Sequence, residues 1–317
     1  MKIIQTGSIA FDYLMRFPGH FKDVILPEHL EKISLSFLVD DMVKHDGGVG
    51  ANIAYTMALL GSKPLLYSAA GQDFPDFGRR LQAVGVDTSG VKIIRDKFTA
   101  SFFANTDLDS NQISSFYTGA MAASAEMPLA ESGCAAGDYV VVSPTDPGAM
   151  SRYIDEAKEL GARMIFDPGQ QTIRMDTDTM RRGVQNCYAF FANEYEFELM
   201  QQSLGLSERE VLEAPEFAVI TLGKHGARVF SHGEEFITPI IEEAPVVDPT
   251  GVGDAFRAGF LHAYLAGKSL RHCAEMGTTT AALCIGQNGT QNHRFTWEEF
   301  KAYFRRYFDD QGELDNY

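Results

Sequence analysis

A chain of 317 residues can bury a large core, and 45% apolar with 22% charged residues marks an ordinary globular composition and excludes disorder. Its 43 acidic residues outnumber 27 basic ones, and the formal net charge of −16 excludes a general pull on nucleic acid or on an anionic membrane surface. No apolar run approaches the roughly 20 residues that span a bilayer, the start MKIIQTGSIAFD lacks the order of a signal peptide, and the four cysteines are scattered without metal-ligand spacing, so a cytoplasmic protein with reduced thiols is expected.

In chain order, KIIQTG (2–7) reads as a short strand ending in glycine. Residues 11–46 are mixed, with LSFLV (35–39) the clearest strand. VGANIAYTMALLG (49–61) has helical apolar spacing and a glycine stop. A strand over 64–71 and a helix over 77–85 follow. VKIIR (91–95), 99–107 and 111–119 are strand-like, and the turn cluster DLDSN makes the last two a hairpin. Alternation then resumes: strand 138–144, helix 147–161, strand 163–169, and a strand running into a helix over 188–200. Two strands around a turn (217–233) and helices over 254–267 and 270–286 complete the pattern, and the polar tail 304–317 is expected to fray. Strand–helix alternation predicts a mostly parallel sheet with helices on both faces. The strand-rich stretches near 11–46 and 91–119 do not fit that scheme and predict a separate small sheet, a lid.

The stretch VVDPTGVGDAFRAGF (246–260) carries the chemistry. GVGDAF lacks the third glycine of a dinucleotide loop, and AGKS (266–269) lacks the first glycine of a P-loop. Gly251, Val252 and Gly253 precede an apolar helix, so their amides and the helix dipole form an anion site without any lysine. Asp254 beside that site is either an ordinary acid at a helix start or a base that takes a proton from a hydroxyl attacking the anion; this stretch alone does not separate the two.

DPTGVGDAF with the following AGF resembles the C-terminal signature of the ribokinase-like PfkB kinases. GGVGAN (47–52) resembles the family's N-terminal Gly-Gly…Asn element, NEYE (193–196) its N-x-x-E element, and TLGKHG (221–226) its T-x-G-x-x-G turn. Val252 stands where alanine is commoner. The stretches at 7–21, 26–48, 112–121 and 166–171 resemble bacterial adenosine kinases of the mycobacterial type, with Gly169 departing from a serine. The resemblance implies a single ribokinase-like domain over 1–317: an α/β three-layer sandwich with a mostly parallel central sheet and a small β-sheet lid.

It also implies roles. Asp254 would be the base and the 251–253 amides the hole for the transferred phosphoryl group. Asn193 and Glu196 would orient Mg²⁺ through water; from the residues alone this is a solvated helix face. Thr221, Gly223 and Gly226, with Asn193, would receive ATP, although their spacing suits a plain β-turn equally well. Asp12, Asn52, Ser8 and the Gly47–Gly48 backbone would hold ribose hydroxyls. Phe102 and Phe116, on neighbouring hairpin strands, would line a purine slot with Gln170 and Gln171 nearby; the alternative is lid core. Ser36 would reach the site of a second subunit in a homodimer clasped through the small sheet. The implied activity is transfer from ATP to the 5′-hydroxyl of adenosine. A ribokinase- or fructokinase-like sugar kinase, or a broad nucleoside kinase, would carry the same motifs. A nucleoside-binding protein without catalysis is disfavoured by Asp254, Asn193 and Glu196.

Overall fold

The structure, a computed structural model, describes residues 1–25 and 34–317. It opens with β1 (Ile3–Thr6), β2 (Ala10–Arg16), the short α1 (Phe21–Val24) and β3 (Asp41–Gly47), then α2 (Val49–Leu59), β4 (Leu65–Gly71), α3 (Pro75–Val84) and β5 (Val91–Ile94). The hairpin β6 (Ala100–Thr106) and β7 (Gln112–Tyr117) follows. Next come β8 (Tyr139–Val142), α4 (Pro147–Glu159), β9 (Arg163–Phe166), α5 (Thr177–Asn186), β10 (Ala189–Asn193), α6 (Glu194–Leu204) and α7 (Glu208–Leu212). β11 (Phe217–Thr221), β12 (Ala227–Ser231), β13 (Glu234–Thr238), α8 (Val252–Leu265), α9 (Leu270–Ile285) and α10 (Trp297–Phe304) complete the chain.

Among the described residues the large sheet runs β13-β12-β11-β10-β9-β8-β1-β4-β5. Pairing from β11 through β5 is parallel, and only β12 and β13 are antiparallel. The central strands are apolar on both faces; YVVV of β8 is entirely buried. That is the signature of a sheet covered on both sides, and one apolar cluster lies on each face. Local chemistry sets the helix starts. Asp146 accepts from the Gly148 and Ala149 amides, and Pro147 follows at the first helical position of α4.

The small sheet runs β3-β2-β6-β7. Three expectations fail here. LSFLV (35–39) forms no strand; the partner of β2 is Asp41–Gly47, in register Asp12↔His45. Of its apolar run, Phe37 packs edge-on to Phe17 and Phe21, while Leu35 and Leu38 are exposed. The 91–95 stretch joins the edge of the large sheet beside β4, not the small sheet. The tail does not fray: Leu314 is fully buried and Tyr317 stacks on His262 with 5.1 Å between ring centroids. Its acids find cations nearby, with Glu313 against Lys268 in the link between α8 and α9 and Asp315 against Lys301 of α10 and against Arg305. The 26–33 part of the 26–48 resemblance lies outside the described residues.

One glycine of the 221–226 turn is structural. Gly226 has φ +89°, and a Cβ there would lie 2.0 Å from the Thr238 carbonyl oxygen, so it lets β12 leave the turn against β13. Gly223, also at positive φ, has open space around it.

Candidate active site

A cavity of about 630 Å³ lies at the carboxyl ends of the parallel strands, where open α/β sheets hold ligands. β10 delivers Asn193, β11 Thr221, the loop after β9 Asp167 and Gln170, and α8 Val252, Gly253, Asp254 and Arg257. Gly223 and Gly226 of the turn also line it. Its far end is apolar, with Ile240, Val246, Ala282 and Ile285.

Gly251 is the N-cap of α8, at φ +76°, and a Cβ on it would strike the Thr290 side chain at 2.8 Å. The Val252 amide makes only a long 3.5 Å bond to the Pro249 carbonyl, and the Gly253 amide has no backbone partner among the described residues. Asp254 sits in the first turn. Asn52 Nδ2 donates to its Oδ2 at 2.8 Å. Asn52 Oδ1 in turn accepts from Thr290 Oγ1 and from Gln291 Nε2, each at 2.8 Å. Two donors on the carbonyl oxygen fix the amide so that its NH₂ must face Asp254. Burial lifts the Asp254 carboxyl from 3.8 to about 6, opposed by the Arg257 charge and the Asn52 hydrogen bond and aided by Glu196.

Asn193 and Glu196 form a reciprocal capping box at the start of α6: Asn193 accepts from the Glu196 amide at 2.8 Å, and Glu196 Oε2 accepts from the Asn193 amide at 2.9 Å. N-x-x-E between a strand and a helix is itself the sequence sign of such a box, a signal the reading by helix faces passed over. The box aims both side chains at the cavity and leaves carboxylate lone pairs free. That donor set fits a magnesium ion that keeps its waters.

The small sheet bears further residues that the sequence singles out, and none of them lines this cavity. Asp12 is paired with Phe102, and Phe102 with Phe116, so the three project from one face. Phe11, Tyr13 and Phe103 point the opposite way; Phe11 packs on Phe77 of α3, and Tyr13 stacks on Phe103 at 4.8 Å. Burial, then Asp248 and Asp254, raise the Asp12 carboxyl to about 6. Gly47 has no room for a side chain beside Asp12, since its Cβ would lie 2.5 Å from Oδ2. Gly48, at φ +92°, would strike the Ser8 carbonyl at 2.5 Å. Ser8 Oγ accepts the Val49 amide at 3.1 Å, so this serine caps α2. Phe116 is exposed and Phe102 half-buried.

The two glutamines part. Gln170 is exposed on the cavity wall, whereas Gln171 is buried and donates to the Thr145 carbonyl at 2.6 Å. Ser36 is exposed, in the irregular chain before β3, away from the cavity lining. Lys224 is exposed and lines the cavity. Residues the sequence reading did not single out are Asp167, Arg257, Thr290 and Gln291. Arg257 had a signal, because it stands one helical turn after Asp254.

Residues 19–297 match the pfkB family of carbohydrate kinases. The chain is 30% identical to a nucleoside kinase of Methanothermobacter thermautotrophicus, covering 92% of this chain and 91% of that one. The fold is similar to that of a Burkholderia thailandensis nucleoside kinase solved with inosine, with TM-score 0.85, 33% identity and coverage of 97% and 98%. A Methanocaldococcus jannaschii nucleoside kinase gives TM-score 0.84, 26% identity and coverage of 96% and 98%.

Proposed function

The chain belongs to the pfkB family of carbohydrate kinases, a phosphotransferase using ATP with Mg²⁺ on nucleosides or sugars, and from that premise we propose that it is a nucleoside kinase of broad base specificity. Adenosine is one of its substrates in this reading, and the 5′-hydroxyl is the acceptor. The observation that carries the proposal is the Asn52–Asp254 contact at 2.8 Å, which sets one carboxylate between the cavity and the face that bears Asp12, Phe102 and Phe116. Asp254 accepts the hydroxyl proton as the oxygen attacks the γ-phosphorus, and the amides of Gly251, Val252 and Gly253 hold the phosphoryl oxygens. Asp12 bridges vicinal ribose hydroxyls, and Phe102 and Phe116 offer flat surfaces that tolerate different bases. Thr221 and Gly223 flank the nucleotide, while Asn193 and Glu196 hold the ion through its waters. Magnesium, when bound, neutralises the polyphosphate.

Two features favour breadth over strict adenosine selection. Gln171 is spent on a backbone carbonyl, so one fewer amide reads the base edge. The first two named relatives are nucleoside kinases, and one is bound to inosine. ADP release should follow adenosine, inosine, guanosine and cytidine within about 1–3 kcal/mol of one another, the discrimination that stacking without base-edge pairing leaves. Turnover confined to adenosine would restore the narrower reading. Turnover on ribose or fructose alone would favour the sugar kinase.

Leu14 and Val43 are exposed on the Asp12 side of the small sheet, and Met42, Ile113 and Tyr117 are exposed together on its opposite face. We assign this face to a second copy of the chain, which would bring Ser36 toward the partner's site. Light scattering at micromolar concentration should return twice the chain mass, and a monomer mass would reject the clasp.

A further inference from the structure

Arg257 lies one turn after Asp254 on α8 and is almost wholly buried, as is Asp167. Its Nε stands 2.8 Å from Asp167 Oδ2, and its Nη2 stands 4.0 Å from Glu196 Oε2. A Cβ on Gly253 would fall 2.8 Å from its Nη1. The missing side chain at Gly253 therefore makes room for a guanidinium as well as for a phosphate. Arg257 Nε, though close to Asp167, makes no hydrogen bond of proper geometry, and Nη1 and Nη2 donate none among the described residues, although the group lines the cavity. A buried Arg–Asp pair is weak evidence for stability, since apolar residues of equal volume would serve as well. Five guanidinium donors held largely uncommitted beside an anion hole are better explained by a ligand.

The charges on the wall point the same way. Asp167, Glu196, Glu242 and Asp254 face the cavity against Arg257 and Lys224, and Lys224 stands exposed on its turn. In a chain of net charge −16, no general field offsets them. An anionic polyphosphate entering here meets Arg257 as the one buried cation of the wall among the described residues.

We infer that Arg257 faces the transferred γ-phosphoryl group across Gly253, and that its ion pair with Asp167 holds the guanidinium in that place. This rests on the kinase reading. Without the pair the side chain has other rotamers and its fork loses aim.

The test is calorimetric and needs no acceptor. MgADP and Mg-β,γ-imido-ATP are titrated into the unsubstituted protein, into Arg257→Met and into Arg257→Met/Asp167→Asn. Arg257→Met should weaken the triphosphate analogue about 10- to 100-fold, the range of a lost charge-assisted bidentate contact, and change ADP by less than about threefold. The double variant is neutral at both positions, so Asp167 leaves no charge without its partner, and it should bind the analogue as weakly as the single variant. Equal losses for the two nucleotides would overturn the inference, because Arg257 would then merely support the wall. Recovery of analogue binding in the double variant would also overturn it, since Arg257 would serve only to neutralise Asp167. Absence of binding of either nucleotide to the unsubstituted protein would remove the kinase reading and this inference with it.

Discussion

Asp254→Asn is expected to lower kcat by about 10²–10⁴-fold with the fold intact, the loss that follows removal of a positioned general base. The amide keeps the shape and can still meet Asn52 Nδ2 through its oxygen, so the site does not collapse. It cannot take the hydroxyl proton. KM for the nucleoside should change little, since Asp12 and the aromatic face carry the binding in this reading. The pH profile supplies an independent check. A carboxyl lifted to about 6 is protonated at pH 5 and ionised at pH 7, so kcat/KM of the unsubstituted enzyme should fall as pH drops through about 6. Asp12, also near 6, adds to the same limb, so the fall belongs to both carboxyls jointly. In Asp254→Asn the residual rate should keep only the contribution of Asp12. Stability runs the other way. A folded-state pKa raised above the unfolded value gives stability that is full below about pH 4 and lost as pH rises through 6. At pH 7 the ionised Asp254 is a burden on the fold, so Asp254→Asn should melt no lower than the unsubstituted protein. Near-normal turnover would remove Asp254 from the role of base, and a substantially lower melting point at pH 7 would mean that its ionised carboxyl is no burden on the fold.

The sequence exposed those parts of the molecule that obey one local rule. β8 and β10 are buried on both faces and read as unbroken apolar runs, so their parallel sheet was legible. β2 and β3 were not. On β2 the residues Asp12, Tyr13 and Leu14 alternate between a ligand face and a helix-packed face, and on β3 Asp41 to Lys44 are exposed, so no clean period of two survives. LSFLV drew the strand assignment by its apolar content alone. The Gly-rich loop and Asp254 were legible because the free amides, the helix start and the carboxylate are adjacent in sequence. Thr290 and Gln291 were not, because they reach Asn52 across 238 and 239 positions and no local pattern announces such a contact. Gly226 carried a true signal with a different cause: the Thr238 carbonyl, not a phosphate, forbids a side chain there.

Asn52→Asp tests whether that distant contact governs the base. The substitution sets a second carboxylate 2.8 Å from Asp254 Oδ2 in a site that burial already makes unfavourable to charge. Two carboxyls at hydrogen-bond distance share one proton, so one of the pair titrates far above its ordinary value. Which one holds the proton follows from the neighbours. Thr290 Oγ1 and Gln291 Nε2 both donate to the position 52 oxygen, and such donors favour the ionised form. The proton therefore stays on Asp254, which cannot then act as a base. The acid limb of kcat/KM should move up by more than about one unit, with turnover at pH 7 down at least 10-fold and returning toward pH 9. Asn52→Ala separates charge from contact. It removes the hydrogen bond that lowers the Asp254 pKa, so its acid limb should also move up, but less, and its rate at high pH should not recover fully because Asp254 is no longer oriented. An acid limb that stays near 6 in both variants would mean that Asn52 does not govern the protonation of Asp254. A further pair of substitutions locates the control. Thr290→Val with Gln291→Met, placed on Asn52→Asp, removes the donors that hold the proton on Asp254, and the acid limb should then move back down.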